Sequence, residues 1–327
     1  MSASMPTPFV AAVPEALAGM RVDRAVSMLT GVSRSEAADL VAGGHVRVDG
    51  RPVLQRSAAL PRGSELTVVL RPAPSVLEPD ETVPFDVVYA DADLVVVDKP
   101  AGVVVHPGAG RRGGTLIAGL LSRFTDIADL ALVSDPVRPG VVHRLDKGTS
   151  GLLVVARTPI AYRSLVAQMG ARTVGRRYLA LAAGALADDR GIVDAPVGRS
   201  ARTPTKMAVT PAGRPARTRY VVRGRAQRLF AGGEWIARPA SLLECTLETG
   251  RTHQIRVHLA ALGHPVMGDD RYGTASTRGV LPPGRLFLHA SVLSFDHPVS
   301  GTRMSWSSPL PPDLREVLEG AAGGGTG

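Results

Sequence analysis

One short segment of the chain carries residue types that could do chemistry. Residues 140–157 read GVVHRLDKGTSGLLVVAR, two apolar runs separated by a polar loop that contains glycines. The loop presents a single carboxylate, Asp146, between Arg144 and Lys147. Neighbouring cations favour the ionised form of a carboxyl group, which suits a nucleophile or a base better than a proton donor. From residue types alone, Asp146 could equally belong to a structural turn with a surface salt bridge.

A glycine-rich run upstream could bind a nucleotide. Residues 108–113 read GAGRRG and fit the GxGxxG pattern of dinucleotide sites, which would make the chain a nucleotide-dependent oxidoreductase. We reject that interpretation because Pro107 separates the run from the preceding strand and the next helix should begin only at Thr115. A mobile glycine and arginine loop near RNA is the better prediction, since the pattern alone is weak evidence.

The sequence offers no credible metal site. The chain has one cysteine, Cys245, so it cannot form an internal disulfide, and no paired Cys and His spacing of the zinc type occurs. His253 and His258 are five residues apart, whereas a helical zinc pair needs a spacing of four. We therefore predict that the protein binds no metal and needs no cofactor.

The charge balance indicates a polyanionic partner. Lys and Arg total 38 against 29 Asp and Glu, a formal net charge of +9, and only Lys99, Lys147 and Lys206 are lysines. Arginine pairs bidentately with phosphate and stacks on bases, so this composition favours RNA as a partner. The first basic residue is Arg21 and the longest apolar run, 178–187, is shorter than the ~18 residues of a membrane span. We expect a cytoplasmic protein with no membrane contact.

The elements that position these residues divide the chain into two domains. A proline-bearing stretch at 71–83 interrupts the apolar periodicity and predicts a linker between a domain at 15–70 and a larger one at 84–315. Residues 1–14 are small and polar and residues 316–327 are glycine-rich, so we expect a disordered N-terminus and a flexible tail.

The smaller domain shows helix and hairpin signals. Apolar residues from Val22 to Leu29 recur at helical spacing, and a capping box at 33–36 opens a second helix that should end at 43–44. Asp49-Gly50 predicts a hairpin turn, and 65–70 predicts another strand.

This domain resembles the S4 RNA-binding module. The resemblance rests on RVDRAVSMLTGVSRSEAADLVAGGHVRVDGRPV, residues 21–53. Its arginines could form one basic face, and a solvated charged face without RNA is the alternative. The RNA-binding candidates are Arg21, Arg24, Arg34, Arg47 and Arg51.

The larger domain shows consecutive strand pairs. Residues 93–99 and 102–107 are β-branched runs joined by a Pro-Ala-Gly turn and predict a hairpin. Together with the runs that flank Asp146, this pattern favours an α+β domain built on a mixed, largely antiparallel sheet with flanking helices, and the resemblance described next points to the same fold.

Several separated motifs resemble the RluA/RluD-type pseudouridine synthases. HRLDKGTSGLLVVART at 143–158 is similar to the family signature, and the similarity runs through most of 84–311. It includes DKPAGVVVHP at 98–107, RYLA at 177–180 and ETGRTHQIRVHL at 248–259. With the S4-like front, the arrangement is most similar to the RluD branch, which modifies large-subunit ribosomal RNA.

The resemblance implies a set of site residues. The aspartate at the position of Asp146 is the catalytic residue of the family, and the tyrosine matching Tyr178 stacks on the target uracil and is a candidate acid or base. Taken alone, Tyr178 would more often be a core or interface tyrosine. Arg251 matches the arginine that pairs with the catalytic aspartate, and Arg256 and the histidines are expected to be scaffold or phosphate contacts. The implied substrate contacts are His143, Arg144, Lys147, Thr149 and Leu288, with Arg144 filling the space left by a flipped base and Leu288 forming an apolar wall.

The implied reaction isomerises uridine to pseudouridine. Asp146 could attack C1′, add to C6 or remove the 2′ proton, and the sequence does not choose among these routes. A stacked uridine must be flipped out to reach it. Large-subunit rRNA or a ribosome precursor is the expected partner of a monomeric enzyme. Transfer RNA is the alternative substrate, and a non-catalytic RNA-binding or ribosome-assembly factor is the alternative function.

Overall fold

The computed structural model describes residues 8–32, 34–69, 77–106 and 113–322. It divides into two compact units, Met1–Val76 and Leu77–Gly327. Residues 71–76 of the linker predicted at 71–83, the capping-box residue Ser33 and residues 108–112 of the glycine-rich loop lie outside the described residues. The predicted domain boundaries stay predictions.

The first unit packs two helices on a small antiparallel sheet. The sheet has four strands in the order β1-β4-β2-β3. Asp49 and Gly50 both have positive φ, 48° and 75°, as a tight hairpin turn requires, so the predicted helices and hairpin are confirmed. The elements are β1 (Phe9–Ala12), α1 (Val22–Thr30), α2 (Arg34–Ala42), β2 (Val46–Val48), β3 (Arg51–Pro52) and β4 (Glu65–Val68).

The expectation of disorder throughout residues 1–14 is wrong. Phe9–Ala12 forms strand β1 and pairs with β4 in antiparallel register. Its side chains alternate between half-buried and exposed, and Val13 lies in the core of the unit. Backbone pairing with β4 and burial of alternate side chains offset the entropic cost of ordering this segment.

The second unit is built on a large mixed sheet. It has nine strands, with the path β5-β6-β7-β14-β8-β13-β12-β9 and β15 paired to β14. Every pairing on this path is antiparallel except the parallel contact of β7 with β14, so the predicted fold class is confirmed. The strands are β5 (Asp86–Ala90), β6 (Leu94–Lys99), β7 (Ser150–Ala156), β8 (Gly175–Ala183), β9 (Arg190–Asp194), β12 (Arg217–Ala231), β13 (Glu234–Leu247), β14 (Leu288–Asp296) and β15 (Arg303–Ser307), with β10 (Val197–Arg199) and β11 (Met207–Val209) as a separate pair.

Helices cover both faces of the central strands. Successive residues of β6 alternate between two hydrophobic clusters, Val95 and Val97 in one and Leu94 and Val96 in the other. The first cluster contains residues of α3 and the second contains residues of α4. Burial on both faces explains why β6 and β7 are continuous apolar runs. The helices are α3 (Leu116–Arg123), α4 (Pro159–Ala171), α5 (Gln254–Ala261) and α6 (Pro312–Ala322).

The hairpin predicted from 93–99 and 102–107 is wrong. The partners of β6 are β5 and β7, and 102–106 forms no strand. Gly102 has a φ of 91°, and its N–H donates to the carbonyl of Lys147 at 2.7 Å. The segment therefore turns toward the loop that contains Asp146.

The flexible tail predicted from residue 316 is also wrong where the structure describes it. Helix α6 runs from Pro312 to Ala322, and Leu314 and Val317 are buried in the core. The apolar side chains of this helix favour docking over disorder, which the glycine content of the tail obscured. Among the described residues, no helix combines the length and apolar character that crossing a bilayer needs.

Candidate active site

A cavity of about 550 Å³ lies in the second unit around Asp146. Its walls come from the loop before β7, the end of α4, the start of β8 and the loop before α5. Of the predicted site residues, it brings together His143, Arg144, Asp146, Thr149, Tyr178 and Arg251.

Strand pairing places the Asp146 loop beside the start of β14. The parallel register aligns Ser150 with His289 and Gly151 with Ala290. Gly151 has a φ of 113°, and a Cβ there would lie 2.3 Å from the carbonyl oxygen of Ala290. Glycine is therefore required where this loop enters the sheet.

A buried arginine outside the predicted set braces the same loop. Nη1 of Arg285 donates to the carbonyl of Gly148 at 3.0 Å, and Nη2 donates to Ser150 Oγ at 3.2 Å. The guanidinium also pairs with Asp313 at the start of α6. These bonds fix the backbone on the carboxyl-terminal side of Asp146.

Asp146 is oriented by Arg256, which was expected to be a scaffold or phosphate contact, and not by Arg251 as the resemblance implied. Nη1 of Arg256 donates to Oδ2 of Asp146 at 2.9 Å. On its other side, Arg256 binds Asp269 through Nε at 2.8 Å and Nη2 at 2.9 Å. Asp269 is fully buried, so the bidentate pair anchors the guanidinium and Asp146 receives the remaining nitrogen.

The pKa values of the anchoring pair keep both groups charged. Burial alone would raise the pKa of Asp269, but hydrogen bonds from Arg256 and the N–H groups of Tyr272 and Arg271, with the Arg256 charge, lower it. Burial opposes the charge of Arg256, whereas its carboxylate partners raise its pKa. The carboxylate of Asp269, the guanidinium of Arg256 and the carboxylate of Asp146 therefore form one hydrogen-bonded chain.

The start of helix α5 explains why the two arginines exchange roles. The helix begins at Gln254, so Arg251 precedes it while Arg256 lies within it. The Gln254 side chain accepts from the N–H of Arg251 at 3.0 Å and from Thr249 Oγ1 at 2.7 Å, which fixes the turn. Arg251 then donates to the carbonyl of Pro215 at 3.1 Å and reaches the cavity rim.

Tyr178 lies in the cavity wall as a neutral phenol. Burial raises its pKa; the charge of Arg176 opposes this shift and that of Asp146 adds to it. The register of β8 places Tyr178 opposite Ala290 of β14 and Cys245 of β13. A raised pKa argues against the role of general base and fits a stacking surface or a proton donor.

His143 is also neutral. The N–H of Val154 donates to its Nε2 at 3.1 Å, so Nδ1 carries the proton. Burial, with the positive charge of Arg176, lowers the pKa of His143 to about 3. Its buried Nδ1 has no hydrogen-bond partner among the described residues. His143 can therefore act as a hydrogen-bond donor but carries no charge near neutral pH.

His253, expected from the sequence to be a scaffold or phosphate contact, is a neighbour of Asp146. Its Nε2 lies 3.8 Å from Asp146 Oδ1, beyond hydrogen-bond distance. Its Nδ1 shares a 2.6 Å hydrogen bond with the hydroxyl of Tyr272, whose ring also packs under Arg256. Burial lowers the pKa of His253 despite the nearby carboxylate of Asp146.

The remaining predicted substrate contacts differ in their exposure and in whether they line the cavity. Arg144 is exposed, and its Nη1 lies 2.9 Å from Nε2 of His106. Thr149 is buried, and its Oγ1 has no partner among the described residues. Lys147 is exposed and does not line the cavity. Leu288 is buried in the core cluster that also contains Tyr178 and is not among the residues that line the cavity, so its role as an apolar wall stays a prediction.

Exposed arginines surround the cavity mouth. Arg172 and Arg214 lower the pKa of Arg251 by charge repulsion, after the larger effect of its burial, so the three guanidinium groups lie close together. Arg138 and Arg144 line the same cavity. Clustered cations of this kind suit the phosphates of a nucleic acid.

In the first unit, the predicted RNA-binding arginines are all exposed. Arg21 forms a bidentate pair with Asp23, through Nε at 3.0 Å and Nη2 at 2.6 Å, which neutralises part of its charge. Arg47 Nη1 donates to the carbonyl of Gly50 at 3.3 Å. The other exposed arginines of this set are Arg24, Arg34 and Arg51.

Comparison with known proteins adds family information to this geometry. The RNA pseudouridylate synthase family matches residues 93–261, and the S4 domain family matches residues 20–66. The ribosomal large subunit pseudouridine synthase D of Xanthomonas campestris is 42% identical over 94% of this chain and 91% of its own length. The uncharacterized RNA pseudouridine synthase YlyB of Bacillus subtilis is 41% identical over 88% of this chain and 89% of its own.

A solved structure agrees with these matches. Human RNA pseudouridylate synthase domain containing 1 is 31% identical, with a TM-score of 0.55, and the alignment covers 72% of this chain and 89% of that one. Both the sequence motifs and the fold are therefore shared with this group of enzymes. The chain belongs to the RNA pseudouridylate synthase family, whose members isomerise uridine to pseudouridine.

Proposed function

We propose that this enzyme converts uridines of large-subunit ribosomal RNA to pseudouridine, with Asp146 as the nucleophile or base. The observation that carries the proposal is the carboxylate of Asp146, held at 2.9 Å by Arg256 inside a cavity that Tyr178 also lines. A carboxylate in a cavity that an aromatic ring also lines suits attack on a ribose carbon or removal of a proton next to a bound base.

The surrounding residues take roles that follow from their charge and exposure. Arg256 orients the carboxylate, and Tyr178 offers a neutral ring for stacking on uracil. The rim cations Arg172, Arg214 and Arg251 bind backbone phosphates. Arg144, exposed at the mouth, fills the space of the flipped base.

The ribosomal target is supported by the relatives and by the first unit. The Xanthomonas relative, which covers nearly the whole chain, is named for the ribosomal large subunit. The S4 domain match and the exposed arginines of the first unit add an RNA-binding surface. We expect the enzyme to act in the cytoplasm, as a monomer, on ribosomal RNA or its precursor.

Pseudouridine mapping in cells tests this proposal. Ribosomal and transfer RNA are labelled with carbodiimide and read by primer extension, from cells with and without the gene and after complementation with wild type or Asp146→Asn. Large-subunit sites that vanish on deletion and return only with wild type support it. Signals confined to transfer RNA would overturn the target, and an unchanged map would favour a binding factor without this activity.

A further inference from the structure

Arg176 is a buried cation, and none of the described carboxylates pairs with it. Its residue exposure is 7%, and it lines the cavity together with Asp146 and Tyr178. Among the described residues no carboxylate forms an ion pair with it, and its buried Nε has no hydrogen-bond partner. An unpaired buried charge is costly, so its retention needs an explanation outside the free protein.

The guanidinium has a fitted position in the cavity wall. A Cβ at residue 250 would lie 2.6 Å from Nη1 of Arg176, so the glycine there leaves room for this group. The side chain comes from β8, two residues before Tyr178, and therefore from the same face of the strand. Arg177, between them, is exposed and lies 3.7 Å from Glu244.

The depth of Arg176 separates it from the phosphate-binding arginines. Arg138, Arg172 and Arg214 are exposed at the mouth, where the RNA backbone stays. Arg176 is buried and lines the same cavity as Asp146 and Tyr178. The part of the substrate that reaches this depth is the uracil ring.

The reaction creates negative charge on that ring. When the N1–C1′ bond breaks, its electron pair leaves with uracil and spreads over N1, O2 and O4, while C1′ becomes electron-poor. The ring turns, C5 bonds to C1′ with an electron pair from the ring, the C5 proton leaves, and N1 takes up one proton. A fixed cation beside the ring stabilises the charge that appears only during this sequence.

We propose that Arg176 is a catalytic residue that stabilises the negative charge of the uracil ring during cleavage of the N1–C1′ bond. The proposal rests on the proposed function, because it requires uridine isomerisation at Asp146. In this assignment Arg176 interacts with the departing uracil, and the arginines at the cavity mouth bind the phosphates.

Single-turnover kinetics on a large-subunit RNA fragment test the assignment. Arg176→Met should lower the rate at saturating RNA by about 10²- to 10³-fold, the range for removing one preorganised charge-stabilising group, with Kd within about twofold of wild type. Gly250→Ala, which pushes on the guanidinium without removing it, should lower the rate by a smaller factor. Arg177→Gln is the matched control and should leave the rate unchanged, and thermal unfolding checks that each variant is folded.

Arg176→Lys supplies a readout that a structural role would not move. Burial lowers the pKa of a lysine, as it does for Lys99, whose pKa is lowered to about 7, so the variant should lose its charge as pH rises. Its rate relative to wild type should fall between about pH 6 and about pH 9. The facing groups His143 and Tyr178 do not titrate in that range, since the pKa of His143 is about 3 and that of Tyr178 is raised.

The outcomes distinguish the possible failures. A raised Kd with an unchanged rate, and a salt slope lowered by about 1, would make Arg176 a phosphate contact and overturn the proposal. Unchanged rate and Kd in Arg176→Met would overturn it as well. Either result with an active wild type leaves the proposed function standing, whereas a wild type inactive on ribosomal RNA overturns both.

Discussion

Two buried arginines of similar exposure differ in how their charge is used. Arg256 is 8% exposed and binds two aspartates, while Arg176 is 7% exposed and binds no carboxylate among the described residues. The charge of Arg256 is neutralised inside the protein and fixes the direction of Asp146. The charge of Arg176 is left for whatever enters the cavity. Burial alone therefore does not distinguish an arginine that positions another residue from one that faces the substrate. The presence or absence of a carboxylate partner makes that distinction.

The largest expected effect comes from Asp146, the carboxylate that Arg256 holds. Asp146→Asn keeps the shape of the side chain but removes the charge that attacks or takes a proton, so we expect the single-turnover rate to fall by about 10⁴-fold. Filter binding should give a Kd close to wild type, because the rim and S4-like arginines are untouched. Loss of RNA binding in parallel with activity would argue that Asp146 is structural.

The sequence predicted the fold class and the loop that carries Asp146, but not the residue that binds this carboxylate. The HRLDKGTSG loop and the strand runs beside it are contiguous, and the structure keeps them as a loop and strand. The choice between Arg251 and Arg256 depends on the residue at which α5 begins, which the motif spacing does not give. Arg285 and Asp269 were missed because they lie more than a hundred residues after Asp146, and their roles depend on tertiary contacts with Gly148 and Arg256.

The next largest effect should be on stability, at Arg256. Arg256→Gln leaves the buried carboxylate of Asp269 without its cation, which should lower the free energy of unfolding by about 3–5 kcal/mol in urea titration. Arg176→Met is the matched control, and its change should stay within about 1 kcal/mol because no buried carboxylate loses a partner.

A second substitution sharpens this contrast. Adding Asp269→Asn to Arg256→Gln removes the stranded charge and should recover part of the lost stability, as expected for coupled neighbours. Equal losses in Arg256→Gln and Arg176→Met would contradict the distinction between the two arginines.

Lys99 is a third buried cation, and it differs from the two arginines because its charge depends on pH. Its Nζ donates to the carbonyls of Pro100 and Val103, at 2.8 and 2.9 Å. Burial lowers its pKa to about 7, aided by the charge of Arg285 and opposed by Asp146 and Asp98. Unlike an arginine, this group can lose its proton while it remains buried.

The sign of the effect on stability follows from the two pKa values. Between the folded value of about 7 and the unfolded value of about 10.4, the unfolded chain binds one more proton, so stability rises with pH. Within that window the free energy of unfolding rises by about 1.4 kcal/mol per pH unit. Below the window this dependence on pH is absent. Urea titrations of wild type and Lys99→Met between pH 7 and pH 10 should differ by this slope, and parallel curves would show that Lys99 stays charged.

The smallest expected effect distinguishes the rim from the deep site, at Arg251. Its guanidinium lies with Arg172 and Arg214 at the cavity mouth, and not beside Asp146 as the sequence predicted. Arg251→Gln should raise Kd a few-fold, lower the slope of log K against log salt by about 1 and leave the saturated rate near wild type. That pattern is the reverse of the one expected for Arg176→Met, which lowers the rate and spares Kd. A rate loss in Arg251→Gln comparable to that of Arg256→Gln would return Arg251 to the role of partner for the catalytic carboxylate.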